Sequence, residues 1–410
     1  MNAPPPPPAA LLTRAPEVLR DPAEAARQLA VDSLGILDTP REERFDRITR
    51  LARQVLGVDF VTISLVDRDR TWFKSVAGLD LEEMPREQTF CHLVSDPSRP
   101  LLIRDARRDA RSADLPAVTG ELGVRFYAGH PVLDQQGGIV ATLCLYDAHT
   151  RDLTREQLDI LADLASWTAE ELTASAESQN ARQVQTALLP ECAPEVPGYE
   201  IDGLCMPARA VGGDFYDYQL APDHLGITLG DVMGKGTGAA LLSVGVRSYV
   251  RASADLAGRD DDLGDLLGRV ARSLDTDLHR TSSFVTLLQL AVDVPTGVVR
   301  VADAGHGLCL HVRADGTATR VTGDGLPIGI LRDAEWHESR LVLQPGDVLL
   351  AFSDGLGDMV MGHAAGLGLL VDLVRTGLSP RGLVDEVRRF CTAELALDDV
   401  TVVALRRDAA

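Results

Sequence analysis

Apolar residues recur at helical spacing first in Glu43–Leu56, where Phe45, Ile48, Leu51, Ala52 and Val55 fall on one face. Phe60–Val66 and Trp72–Val76 then read as strands, joined by a loop at Asp67–Arg70. Gly129–Leu133 and Ile139–Tyr146 form a second such pair around the turn formers of Asp134–Gly138. A long helix is predicted from Thr154 to Thr173. Thr154 and Gln157 make a capping box, and Leu158, Leu161, Leu164, Ala165 and Leu172 recur at its period. The helix can run on through polar Ala174–Arg182 to Ala187-Leu-Leu189, ahead of Pro190. Leu161, Ala165, Thr168 and Leu172 also fit a short heptad seam, weakly continued by Ser175, Gln179 and Arg182. Two readings stay open for it: a helix packed on its own domain, or a connector that pairs two chains.

Beyond Tyr199 the pattern changes to short β-rich runs around two helical stretches. Ile227–Leu229, Val285–Val292, Val298–Ala302, Val348–Phe352 and Val400–Leu405 read as strands, and Gly238–Val250 and Leu263–Arg280 as helices. Two sheets with helices packed outside satisfy that order. Met1–Pro22 contains the run Pro4–Pro8, which builds no packed core, so a tail is expected at the start of the chain. The resulting division is a Pro-rich disordered tail over 1–24, a first domain over 25–173, a helical connector over 174–190 and a second domain over 191–410.

Composition narrows the function. The 410 residues carry a formal net charge of -21, which repels the polyanions nucleic acid and anionic membrane. Carboxylates in excess suit hard divalent cations instead. The six cysteines, Cys91, Cys144, Cys192, Cys205, Cys309 and Cys391, form no C-x-x-C pair and no zinc-ligand spacing with histidine. Reduced thiols and a cytoplasmic protein are expected, with no signal peptide at the N-terminus. The most apolar helical stretch, Gly238–Val250, is too short to span a bilayer.

Candidate chemistry lies in four strings: Gly212-Gly-Asp-Phe215, Gly230-Asp-Val-Met-Gly-Lys-Gly236, Ser353-Asp-Gly355 and Asp398-Asp-Val-Thr401. Each sets an aspartate at a strand end or in a glycine-rich turn. A single Asp-Gly among 61 acidic residues is a turn signal and nothing more. Several carboxylates from distant parts of one chain are what a two-cation site needs.

Together with Leu188-Leu-Pro190, Pro207-Ala-Arg-Ala-Val211, Ala239-Ala-Leu241, Ala304-Gly-His306, Gly325-Leu-Pro-Ile-Gly329 and Pro345-Gly-Asp347, these strings make residues from about Gln183 to Arg407 resemble the SpoIIE/RsbU-type branch of the PPM protein phosphatases. The resemblance implies an αββα sandwich with two Mn²⁺ or Mg²⁺ ions, and hydrolysis of phosphoserine or phosphothreonine. Carried over by position, Asp214 and Asp231 would be shared ligands, the Val232 carbonyl a further one, and Asp354 and Asp398 would complete the second ion's shell. Asp399 stands where many such enzymes have asparagine and is expected behind the ligands. Arg209 would grip the substrate phosphate through its guanidinium fork. Gly357 and Asp358 depart from the usual threonine or valine followed by glutamate. His306 reads as part of a turn rather than a general acid, and Lys235 has no role that spacing defines. The substrate that this branch implies is a phosphorylated STAS-type anti-sigma-factor antagonist. A non-catalytic regulator that binds a phosphoprotein or a switch kinase is the alternative, disfavoured by the intact aspartates. An aspartyl-phosphate enzyme lacks its Asp-x-Asp-x-Thr string.

Ile63-Ser-Leu-Val-Asp67, Arg70-Thr-Trp-Phe-Lys-Ser75, Phe90-Cys-His92, Phe126-Tyr-Ala-Gly129-His-Pro131 and Thr142-Leu-Cys-Leu145 give residues from about Ala25 to Thr173 a resemblance to GAF sensor domains, antiparallel sheets flanked by helices. It implies a regulatory domain that can form a homodimer and whose ligand the sequence does not name. Cys91-His92 reads as a buried small residue beside a polar rim residue, since two adjacent side chains do not make a zinc site.

Overall fold

The computed structural model describes residues 21–256, 262–363, 366–394 and 396–409. The chain divides into two compact units, Met1–Gln179 and Asn180–Ala410. The proline run lies outside the described residues. Pro22–Glu24, assigned above to the tail, instead open helix α1 (Pro22–Ser33), whose N-cap Asp21 accepts a hydrogen bond from the Ala23 N–H. The dipeptide Asp21-Pro22 is a helix start: a capping carboxylate followed by a residue whose φ is already helical.

In the first unit, α2 (Glu43–Leu56) and strands β1 (Phe60–Val66), β2 (Arg70–Ala77), β3 (Glu83–Pro85), β4 (Leu101–Ile103), β5 (Phe126–Leu133) and β6 (Ile139–Asp147) follow. The strands form one antiparallel sheet in the order β3-β2-β1-β6-β5-β4. One face carries Val61, Ile63, Leu143 and Leu145 against Val31, Phe45, Ile48 and Leu161 from the helices. The opposite face carries Phe73, Phe90, Tyr127 and Tyr146.

The long helix α4 runs from Arg155 to Leu188, past the short α3 (Pro116–Thr119). Its capping box forms as expected: the Thr154 N–H donates to Gln157 Oε1 at 3.0 Å and the Gln157 N–H to Thr154 Oγ1 at 3.2 Å. The seam residues Leu161, Ala165, Thr168 and Leu172 are all buried inside the first unit. Ser175, also buried, accepts from Arg44 of α2 at 2.9 Å. The heptad-like spacing is thus the stripe by which the helix packs on its own domain, and it gives no support to a pairing of two chains.

The second unit is a sandwich of two five-stranded antiparallel sheets. One holds β8 (Phe215–Ala221), β9 (His224–Val232), β10 (Val285–Asp293), β11 (Val298–Ala304) and β14 (Ser339–Val342) in the order β14-β11-β10-β9-β8. The other holds β7 (Tyr199–Met206), β12 (Cys309–Val312), β13 (Ala318–Val321), β15 (Val348–Phe352) and β16 (Val400–Arg407) in the order β13-β12-β15-β16-β7. Ile227, Leu229, Leu288 and Leu290 meet Ile201, Leu349, Val403 and Leu405 between them. Helices α5 (Thr237–Leu256) and α6 (Leu263–Thr281) cover the outside of the first sheet. Helices α7 (Asp354–Met361), α8 (Gly368–Arg375) and α9 (Pro380–Glu394) cover the second. The sequence reading expected only two helices here. The buried Leu383, Val384, Val387 and Cys391 of α9 sit at helical spacing after Pro380, so the period was present but diluted by charge. No helix among the described residues is long and apolar enough to cross a membrane.

Leu161→Ala should cost about 2–5 kcal/mol in the first unit's unfolding transition, because it opens a core cavity. That loss should be independent of protein concentration. A destabilisation that grew on dilution would return the seam to a contact between chains.

Candidate metal centre

Antiparallel register decides which aspartates meet. Phe215, the first residue of β8, pairs with Gly230 near the end of β9, which places Asp214 beside Asp231. In the facing sheet Phe352, last in β15, pairs with Val402 of β16, which places Asp354 at the start of α7 near Asp398 and Asp399. The close approaches need glycine. A Cβ on Gly213 would collide with the Val232 carbonyl oxygen, and one on Gly355 with the Asp399 carbonyl oxygen.

The four matched carboxylates therefore gather at one edge, under different conditions. Asp214 is buried, Asp231 and Asp398 are half-buried and Asp354 opens outward. Burial, then the charge of Asp231, pushes the Asp214 carboxyl well above the usual carboxylate range, with the Ser353 and Thr401 hydroxyls pulling the other way. Burial, then the charges of Asp354 and Asp398, pushes Asp231 up to about 6. Asp354 is raised by burial and by Asp398. Asp214 Oδ2 is buried with no hydrogen-bond partner. An unpaired carboxylate oxygen facing other carboxylates is costly in a protein alone and is what a hard cation needs. On that test the acidic cluster fits a hard divalent cation, which Asp214 and Asp231 from one sheet and Asp354 and Asp398 at the ends of the other would hold, with the Val232 carbonyl as a further donor.

Asp399 has a different task. Its Oδ1 accepts from the Ala208 N–H at 2.8 Å and its Oδ2 from the Gly213 N–H at 2.7 Å, so the carboxylate clamps the loop that carries Arg209 and Asp214. The Asp399 carbonyl accepts from the Ser353 hydroxyl at 3.2 Å, which ties the same clamp to the strand end before Asp354. Arg209 itself is exposed on the clamped loop. Asp398 Oδ2 lies 2.7 Å from the Lys235 ammonium, which also donates to the Leu397 carbonyl at 3.0 Å.

His306 is a structural residue. It is buried, and its Nε2 stands 3.0 Å from the Phe352 carbonyl, which can only accept, so that nitrogen carries the hydrogen. Nδ1 takes the Thr286 hydroxyl at 3.2 Å, and burial lowers the ring's pKa.

The sequence reading missed Gln185, near the end of α4. It is buried, and its side chain grips Gly212 at both backbone groups: Nε2 to the carbonyl at 2.7 Å, and Oε1 from the N–H at 3.1 Å. Its only advance signal was a glutamine three residues before Leu188-Leu-Pro190. Among the described residues, the group of three whose ligand atoms all lie within 4.8 Å of one another is Asp59, Asp147 and His149 in the first unit, and the matched aspartates form no such group. Arg151, 2.6 Å from Asp147, meets its charge.

Residues 40–172 match the GAF domain family, and residues 221–408 match the family described as Stage II sporulation protein E (SpoIIE). Asp231, Asp354 and Asp398 fall within the second span; Arg209 and Asp214 lie just before it. The chain is 35% identical over 128 residues to a cyclic di-GMP phosphodiesterase, PA2567, of Pseudomonas aeruginosa, covering 31% of this chain and 22% of that protein. It is 26% identical over 182 residues to the phosphoserine phosphatase RsbU of Bacillus subtilis, covering 44% of this chain and 53% of that protein. The chain therefore spans about half or less of the length of these relatives. The solved SiaA-PP2C domain of Pseudomonas aeruginosa matches with a TM-score of 0.51 at 22% identity, over 58% of this chain and 99% of that one, a likeness of fold.

The raised pKa of Asp231 has a stability consequence in metal-free protein. A carboxyl held near 6 when folded and 3.8 when unfolded keeps its proton longer in the native state, so its penalty appears as pH rises from 3.8 through about 6. Asp231→Asn removes that penalty. In EDTA at pH 8 the variant should melt above the parent, by on the order of 1–3 kcal/mol, with the gap closing towards pH 4. A variant that melts lower at pH 8 would contradict the electrostatic description.

Proposed function

We propose that this chain, a GAF domain joined to a domain of the SpoIIE family, is a metal-dependent protein serine/threonine phosphatase. The observation that carries the proposal is the buried, unpaired Asp214 Oδ2 beside the carboxylate of Asp231, which in turn feels the charges of Asp354 and Asp398. Two Mn²⁺ or Mg²⁺ ions held there would supply an activated water and neutralise the phosphate under attack. Asp214 and Asp231 would lie between the ions, the Val232 carbonyl would add a ligand, and Asp354 and Asp398 would hold the outer one. Asp399 keeps the loop of Asp214 and Arg209 in place through the Ala208 and Gly213 N–H groups. Arg209, exposed on that loop, would receive the substrate phosphate and orient it for in-line attack.

The relative named a phosphoserine phosphatase supports a phosphoserine or phosphothreonine protein as substrate. We assign that substrate to the STAS-type anti-sigma-factor antagonists and the enzyme to the cytoplasm, in keeping with its six free cysteines. The GAF domain would regulate through α4. That helix is continuous from Arg155 to Leu188, and near its end Gln185 holds Gly212, two residues from Asp214.

With Mn²⁺, full-length protein should release phosphate from a phosphorylated STAS protein and stop in EDTA. Asp214→Asn, Asp231→Asn and Asp354→Asn should each lose roughly 100-fold or more in turnover. Arg209→Ala should lose about tenfold in kcat/KM. Tight binding of the phosphoprotein with no phosphate released under any metal condition would instead favour the non-catalytic regulator.

Two residues inserted after Ser178 would turn the following segment by about 200° around the helix axis, and four by nearly a whole turn. The first insertion should change basal activity sharply and the second should largely restore it. Equal activity in both would reduce α4 to a tether.

A further inference from the structure

Two thiols of the first unit take no part in this chemistry. Cys91 opens the short turn Cys91–Leu93 and Cys144 lies on β6; both are buried, with their sulfurs 3.5 Å apart. A disulfide spans about 2.05 Å, so the pair is in contact but unbonded, about 1.5 Å from closure. The surroundings are unlike those of inert core cysteines. The Tyr127 hydroxyl is 3.2 Å from Cys144 Sγ, the Tyr146 hydroxyl 3.3 Å from Cys91 Sγ, and the Ser64 hydroxyl 3.9 Å from Cys144 Sγ. Hydroxyls turned towards sulfur stabilise a thiolate. Burial opposes ionisation of Cys144, but hydrogen bonds from Cys91, Tyr127, Ser64 and Thr142 outweigh it and bring the thiol down to about 7. Burial and the Cys144 charge push Cys91 the other way, so of the two sulfurs Cys144 gives up its proton more readily. Cys91 also borders a cavity of about 510 Å³, together with Arg86, His92, Ile139 and Thr142. A small solute in that cavity meets the Cys91 side of the pair first.

The geometry points to Cys91 and Cys144 as a peroxide-reactive dithiol whose oxidation joins β6 to the Cys91–Leu93 turn by a disulfide. The reagent class is a small hydroperoxide, hydrogen peroxide being the simplest. As Cys91 attacks one peroxide oxygen, the Cys144 thiolate takes its proton. The O–O bond breaks, the leaving oxygen takes a proton from solvent, and Cys91 becomes a sulfenic acid. Cys144 then attacks the Cys91 sulfur. The S–O bond breaks, and the departing hydroxide combines with the Cys144 proton to give water. Two thiols and one hydroperoxide thus yield a disulfide, an alcohol (or water) and water, with two electrons passing from sulfur to the O–O bond.

The exposed Cys192 is an internal reference, a thiol open to solvent with no partner sulfur. Reduced full-length protein is titrated with hydrogen peroxide, alkylated under denaturing conditions and digested with trypsin. The expected result is loss of two alkylatable thiols and a joined pair of peptides, 87–104 and 126–151, at a dose that leaves Cys192 alkylated. In Cys144→Ser, which lacks both the proton acceptor and the resolving thiol, Cys91 should stay alkylatable at that dose. Oxidation of Cys192 while Cys91 and Cys144 of the parent protein stay alkylatable would overturn the proposal, and that readout does not depend on how the variant folds.

Discussion

The second unit is organised around a carboxylate that should not be comfortable where it is. Asp214 is buried at the edge between two sheets, beside Asp231, with one oxygen lacking a partner. Taking a carboxylate from water costs several kcal/mol unless an opposite charge or good donors replace the solvent. The rest of the site reads as the machinery that enforces this arrangement. The Phe215–Gly230 pairing sets two carboxylates side by side, and Gly213 lets the chain close over Val232. Asp399 spends both its oxygens on loop N–H groups. On the proposed function, a cation would take the place of protons in making this arrangement favourable.

That view also sorts the polar residues around the centre. Asp399 and Asp398 are neighbours in sequence with opposite surroundings: one saturated by backbone donors, the other half-buried and reached by the Lys235 ammonium. His306, close to the same strand ends, is consumed by the Phe352 carbonyl and the Thr286 hydroxyl and has no free nitrogen for proton transfer. Gln185 extends the bracing outward, from Gly212 to the last turn of α4.

Much of this was legible in the chain because it rests on local rules. The helix Glu43–Leu56 and the strand Phe60–Val66 have the bounds their periods predict, and the Thr154–Gln157 cap closes as a reciprocal pair. What periodicity could not separate was which partner a stripe would meet. Leu161, Ala165 and Leu172 satisfy a heptad and a domain-packing stripe equally, and only the first unit's core decides between them. The strands β7 and β8 went unread because Glu200, Asp202, Asp217 and Gln219 interrupt their apolar run. The candidate site was legible as four strings with Asp399 behind them, but Gln185 was not, because it acts through the backbone of Gly212, 27 residues away in sequence. The Cys91–Cys144 contact was invisible for the same reason, since 53 residues separate the two sulfurs.

The claim that these carboxylates are a cation site is tested most directly by titrating EDTA-stripped full-length protein with Mn²⁺ in a calorimeter. The account predicts saturable binding of two equivalents, with the stoichiometry falling or the affinity collapsing in Asp214→Asn. Heats indistinguishable from dilution, or binding unchanged by that substitution, would contradict it.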